Sequence, residues 1–234
     1  MSRDGDQRRA LVIGDSDGIG LGLTRRLVDG GWAVAGLSRS AGSFTAPGYR
    51  HRVVDVTSDD YRAVVADAVD TLGGVDVCVY AAGVGDLFDP ADLAAQTRAL
   101  EVNLIGAART VEVVVPAMIA NGGGHLVGLS SIADAAASAE APAYAASKAG
   151  LSRYLLGLRG ALRAHGVAVS TIRFGFVDTK MAKAAVKPMM MPVDTAVEVI
   201  LDCLRTRRAV VSHPRPLAVL AAALGPLVTA RTRR

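Results

Sequence analysis

Short runs of apolar, β-branched residues alternate along this chain with longer stretches of helical period. That alternation predicts βαβ units and a parallel sheet. Arg9 to Gly14 reads as the first strand, and Gly18 to Asp29 as a helix with Ile19, Leu23 and Leu27 on one face. The Gly30-Gly31 pair supplies its stop. Further strands are predicted at Trp32 to Ser38 and His51 to Asp55. Thr57-Ser58-Asp59-Asp60 predicts a helix start, with a capping hydroxyl and acids in the first turn. Val64, Val65, Ala68, Val69 and Leu72 carry its buried stripe, and Gly73-Gly74 end it. Val75 to Ala81 is apolar through most of its length, as a strand covered on both faces should be.

The alternation continues with a long helix around Leu93 to Ile119 and a strand at His125 to Ser130. A second long helix is expected from about Tyr144 to His165, then a strand from Val167 to Phe174. Asp194 to Arg205 gives a last helix and Ala209 to Ser212 a short strand. Seven strands separated by helices, with no linker rich in Pro or Ser, predict the α/β class. The expected architecture is one Rossmann-like domain over residues 1–234, a doubly wound, seven-stranded parallel sheet flanked by helices on both faces. Alanine-rich patches such as Ala135 to Ala137 aside, nothing is repetitive or of low complexity.

Composition narrows the class. The 234 residues are 51% hydrophobic and 21% charged, an ordinary globular balance with ample material for a core. The apolar tail from Pro216 to Ala230 falls short of the ~20 residues that span a bilayer. Met1 to Arg9 is polar and has no signal-peptide core behind it, so a cytoplasmic protein is expected. The net charge of +4 raises the question of nucleic acid, but the arginines are scattered and aromatics are only 4%. No nucleic-acid partner is expected. Cys78 and Cys203 read as buried free thiols, and the four histidines show no metal-ligand spacing, so no metal is expected.

The chemistry begins with Gly14-Asp15-Ser16-Asp17-Gly18-Ile19-Gly20, between the first strand and first helix. Glycines there let the backbone approach a pyrophosphate, and the helix N-terminus offers N–H groups and a positive dipole end. Asp15 and Asp17 lie close to the expected phosphates. The second strand ends Leu37-Ser38-Arg39-Ser40, with an arginine and no carboxylate. A free ribose 2′-hydroxyl calls for an acid there and a 2′-phosphate for arginine, so NADP(H) is expected over NAD(H). The third feature is Tyr144-Ala-Ala-Ser-Lys148, with Ser131 thirteen residues upstream. Tyr144 and Lys148 share a helix face, and a nearby ammonium favours tyrosinate, which predicts a lowered Tyr144 pKa and acid/base work.

With these three features in order, the sequence resembles the short-chain dehydrogenase/reductase family over nearly its whole length. The resemblance implies that Gly14, Ser16, Gly18, Ile19 and Gly20 bind the pyrophosphate, with Ser38 and Arg39 at the 2′ position. It places Asp55 and Val56 at the adenine, Ala82 and Gly83 beside the cofactor, and Gly175, Val177 and Thr179 at the nicotinamide. Asn103, Ser131, Tyr144 and Lys148 match the catalytic tetrad. The implied reaction is hydride transfer between the nicotinamide and a carbonyl carbon. Tyr144 would move the proton, Ser131 hold the oxygen, Lys148 bind the ribose and lower the Tyr144 pKa, and Asn103 hold a water in the proton path.

The chain departs from the family pattern at Ile13 for the usual threonine, at Tyr80-Ala81 for the usual Asn-Asn, and at Phe174 for the usual proline. The first two changes remove side-chain hydrogen bonds near the cofactor. Lys180, Lys183, Lys187 and Met189 to Met191 fall in the segment 179–193 and suggest a lid over a small, largely hydrophobic carbonyl or alcohol substrate. The loop from Ile132 to Ala143, rich in small residues apart from Asp134, Ser138 and Glu140, suggests room at the reacting centre. The family commonly pairs through its two long helices, so a homodimer or homotetramer is expected. The apolar tail is expected to pack on its own domain or a second subunit rather than on a membrane. Alternatives are an imine-reducing or redox-neutral biosynthetic enzyme of the same family, and a non-catalytic nucleotide-binding regulator.

Overall fold

The computed structural model describes residues 7–181 and 187–231, without the side chains of 224–231. Seven strands form one parallel sheet: β1 (Arg9–Ile13), β2 (Ala33–Ser38), β3 (Tyr49–Val53), β4 (Val77–Tyr80), β5 (Gly124–Ser131), β6 (Val167–Phe174) and β7 (Val210–His213). They lie side by side in the order β3-β2-β1-β4-β5-β6-β7, every pair parallel. The order reverses between β1 and β4, and the crevice at such a reversal is where this architecture binds ligands.

Helices cover both faces. On one side α1 (Gly18–Asp29) and α6 (Val193–Thr206) pack Leu23, Leu27, Ala196, Val197 and Ile200 against Ala10, Val12 and Val79. On the other, α2 (Tyr61–Leu72), α4 (Gly106–Ala120) and α5 (Pro142–Ala161) set Val65, Val114 and Leu151 against Leu11, Cys78 and Leu126. Each Leu, Ile or Val among them, fully buried, contributes about 1.5–3 kcal/mol. Successive residues of β1 thus feed opposite cores, which explains why its sequence is apolar throughout rather than alternating.

Several boundaries differ from the sequence expectation. The start at Thr57 is displaced, because the Asp55 carboxylate takes both the Thr57 N–H (3.0 Å) and hydroxyl (2.8 Å); α2 begins only at Tyr61. β3 lies two residues earlier than expected, at Tyr49–Val53. The long helix is divided into α3 (Leu93–Leu100), a π turn (Glu101–Ile105) and α4. The stretch Leu93–Ala120 is long and apolar enough to cross a membrane, but half of its most apolar window is buried inside the fold, as in a core helix. The apolar tail is helical as α7 (Arg215–Arg231), and it packs on β7 and on the 3₁₀ turn Ile132–Ala135 that follows β5.

Candidate active site

A continuous cleft of about 1610 Å³ runs along the carboxyl ends of the strands. Each residue expected at the cofactor borders it, as do Ser131, Tyr144 and Lys148. Asn103 is fully buried and is not among the residues lining the cleft. At the adenosine end the glycine loop makes its turn through Gly14 at φ +91° and Gly18 at φ +52°, conformations that favour glycine. A Cβ on Gly20 would stand 2.0 Å from the Gly14 carbonyl oxygen, so the loop closes on its helix only without one.

The two loop aspartates are placed differently: Asp17 borders the cleft and Asp15 does not. Asp17 caps α1, its Oδ1 accepting from the Gly18 N–H at 2.8 Å, and it pairs with Lys180 at 2.7 Å. The Lys180 contact and that N–H hold its carboxyl below the usual range. Asp15 turns inward and is fully buried. Its carboxylate lies over Gly36 of β2, where a Cβ would approach within 1.5 Å. There it accepts from the Tyr49 hydroxyl and faces His51 Nε2 at 3.4 Å. Burial raises its carboxyl despite those partners. Ser38 contacts the same group: its hydroxyl donates to the Ser40 carbonyl (2.9 Å) and lies 2.8 Å from His51 Nε2. Arg39 is exposed at the cleft edge. With Asp15 buried, and Asp17 paired with Lys180, the loop leaves its glycine backbone and the start of α1 open to an anionic pyrophosphate.

Asp55 borders the cleft with its side chain engaged by Thr57 and Arg98, the latter at 2.8 Å. Burial raises its carboxyl, but those partners outweigh it and hold it below the usual range. At the floor, a Cβ on Gly14 would meet the Ala82 backbone nitrogen at 2.5 Å, so β1 and β4 approach closely beside the cofactor position.

The π turn carries Asn103 inward. Its Oδ1 accepts from the Val84 N–H (2.8 Å), and its Nδ2 donates to the Val84 carbonyl (2.8 Å) and to the Ser147 hydroxyl (2.9 Å). Both amide protons are therefore taken, and the Asn103 side chain ties the loop after β4 to α5. Tyr80 anchors the same turn by donating to the Val102 carbonyl at 2.5 Å. The Tyr80 departure from the family pattern thus brings a buried hydrogen bond of its own. Ile13 is wholly buried, and Phe174 continues β6 into its pairing with Ser131 and His213.

Ser131 ends β5, and Tyr144 and Lys148 stand in the first turns of α5. The Tyr144 phenol faces the Ser131 side chain, which favours its ionised form, and the Lys148 ammonium lies 5.8 Å from the Tyr144 ring centroid. A Cβ on Gly85 would come within 2.9 Å of that ring, so the loop after β4 packs flat on it. The expected lowering of the Tyr144 pKa is not found. Burial raises it, the Ser131 side chain pulls the other way, and the Asp134 charge adds to the rise. Lys148 instead donates to the Leu129 carbonyl at 2.9 Å, and burial pulls its own pKa down to about 8.

Beyond the tyrosine the walls are mostly small or apolar (Ala133, Ala136, Leu87, Phe176 and Met181, with Leu217 and Ala221 from α7), interrupted by Asp86, Ser138 and Glu140. The contribution of α7 has no motif in the sequence. Of the expected methionine lid, Met191 is buried and pairs with Val177, and Met189 and Met190 face solvent; Met181, outside that expectation, lines the cleft. Lys183 lies outside the described residues. Among the described residues no group of three or more His, Cys, Asp or Glu is placed to hold a metal ion.

Comparison with known proteins agrees with this geometry. The sequence model of the family described as short chain dehydrogenase matches residues 8–189. An uncharacterized oxidoreductase of Myxococcus xanthus is 35% identical over 245 aligned positions, covering 97% of each chain. A cis-4-hydroxycyclohexanecarboxylate dehydrogenase of Sinomonas cyclohexanicum is 32% identical and covers 75% of each. In structure, a short chain dehydrogenase of Burkholderia cenocepacia, solved in complex with NADP, superposes with a TM-score of 0.85 at 26% identity, covering 97% of each chain.

Proposed function

The chain belongs to the short-chain dehydrogenase family, and on that premise we propose that it is an NADP(H)-dependent oxidoreductase acting on a small apolar carbonyl compound or the matching secondary alcohol, with Tyr144 as its acid/base. The observation that carries this reading is the meeting of Ser131, Tyr144 and Lys148 in the same cleft as the glycine loop. The bound nicotinamide would supply or take the hydride. The chain's own residues do the rest. Ser131 would hold the substrate oxygen beside the phenol. The raised Tyr144 pKa keeps that phenol protonated near neutral pH, the form a proton donor needs in the reducing direction. Lys148, buried and partly relieved of its proton near pH 8, would give its ammonium to the ribose hydroxyls. Asn103 keeps the loop after β4 in place behind them.

The preference for NADP(H) is supported by exposed Arg39 at the end of β2, by the inward turn of Asp15, and by the NADP held by the Burkholderia relative. The apolar walls support a hydrophobic substrate, and the alicyclic alcohol in the Sinomonas relative's name puts ring ketones first in the trial. The test is NADPH consumption with ring ketones, aldehydes and imines, wild type beside Tyr144→Phe. Turnover of carbonyl compounds that disappears in the variant supports the reading; turnover confined to imines, or equal in both proteins, overturns it. Arg39→Glu is expected to weaken NADPH more than NADH.

A further inference from the structure

Arg173 and Asp134 lie 39 residues apart, and neither belongs to the glycine loop or the tetrad. The structure joins them behind the catalytic serine. Asp134 sits in the 3₁₀ turn that starts immediately after Ser131, and its side chain is only 5% exposed. Arg173 stands on β6 opposite Ser130, two residues before Gly175. Its Nε donates to both carboxylate oxygens, at 2.9 and 2.8 Å, and its Nη2 also reaches Oδ1. The same carboxylate accepts from the Ser152 hydroxyl of α5 at 2.6 Å. Ser152 lies 2.7 Å from the Ser130 hydroxyl, which reaches the Lys148 carbonyl at 3.1 Å. One carboxylate therefore ties the turn after β5, strand β6 and the helix bearing Tyr144 and Lys148.

We infer that Arg173 and Asp134 are a positioning pair: their buried ion pair fixes the Ser131 turn against α5, and the guanidinium cancels a negative charge that would otherwise stand uncompensated near Tyr144. This rests on the reading of Tyr144 as the proton-transfer group. A carboxylate near a phenol opposes formation of the phenolate, and Asp134 does push Tyr144 upward. A nearby cation restrains that push, and removing it would leave a buried, unpaired charge. Other charged groups around the phenol are Lys148 on its own helix, and Asp86 and Glu140 on the lining of the cleft. The Asp134 carboxylate is held by Arg173 and by Ser152, so substitution at 173 addresses the ion pair alone and substitution at 134 addresses both contacts.

The test is a tyrosinate absorbance titration of the whole protein, with each variant read against the same variant carrying Tyr144→Phe so that only Tyr144 is seen. Arg173→Met is expected to raise the Tyr144 midpoint by roughly half a unit to one unit. Arg173→Lys is expected to leave it near wild type, Asp134→Asn to lower it, and the double variant to return most of the way. Near-ultraviolet circular dichroism reports that each protein is folded, and where Arg173→Met is not, Asp134→Asn and Arg173→Lys carry the test. A midpoint unmoved in folded Arg173→Met and Asp134→Asn overturns the inference, as does an unmoved midpoint in Asp134→Asn alone when Arg173→Met does not fold. Should Tyr144→Phe retain carbonyl turnover while the midpoints move as stated, the reading of Tyr144 fails and the coupling stands.

Discussion

Lys148 is held in a place that costs the fold stability. Its ammonium is buried beside one carbonyl acceptor, and the folded protein releases its proton at about 8 rather than near 10.5. Between those values the unfolded chain holds the proton and the folded chain does not, so this group's contribution to stability improves as pH rises. The penalty for keeping it charged is about 3 kcal/mol near pH 7 and about 1.4 kcal/mol near pH 9.5. Lys148→Met removes the penalty while leaving the Leu129 carbonyl without its donor, a loss of about 2 kcal/mol. The variant should therefore be more stable than wild type by about 1 kcal/mol near neutrality, and less stable by about 0.6 kcal/mol near pH 9.5. For a chain of this length that is a rise in melting temperature of roughly 2–4 °C, reversing to a fall at the higher pH. Paired thermal melts of the two proteins at both pH values decide it, since all other titrations cancel in the difference. A melting-temperature difference with the same sign and size at both pH values would refute the reasoning.

Gly36→Ala would drive a Cβ into the Asp15 carboxylate, 1.5 Å away, and should lower stability in urea by about 3 kcal/mol. Adding Asp15→Ala should recover most of that loss, whereas simple additivity of the two substitutions would count against a shared site. Tyr80→Phe leaves the buried Val102 carbonyl of the π turn without its donor and should lower stability by about 1–3 kcal/mol in the same assay. Unchanged stability there would mean that the hydroxyl contributes nothing to holding the Asn103 turn.

The sheet, its helices and the cleft were legible because local signals agree with the long-range arrangement. Strand runs apolar on both faces demand a layer on each side, and glycines at 14, 18 and 20 together with Ser131, Tyr144 and Lys148 fall where strand ends converge. What escaped the sequence depends on partners brought together by register. The direction of Asp15 is decided by the vacancy over Gly36 on the neighbouring strand and by Tyr49 and His51 on the next. The late start of α2 follows from a side chain two residues back taking the Thr57 donors. The break between α3 and α4 accompanies a hydrogen bond from Tyr80, 22 residues away. The part of α7 in the cleft wall rests on packing against the turn after β5, which no pattern within the tail announces. The rise of the Tyr144 pKa follows from burial, which the four-residue spacing of Tyr144 and Lys148 does not report.

The central claim is hydride transfer with a proton moved by Tyr144, and isotope transfer tests it most directly. NADPH carrying deuterium on the transferred face of its nicotinamide is incubated with the protein and a ring ketone such as cyclohexanone, and the alcohol is analysed by mass spectrometry. One deuterium on the carbinol carbon is expected with wild type and none with Tyr144→Phe. Alcohol formed without the label, or labelled equally by both proteins, would contradict that claim.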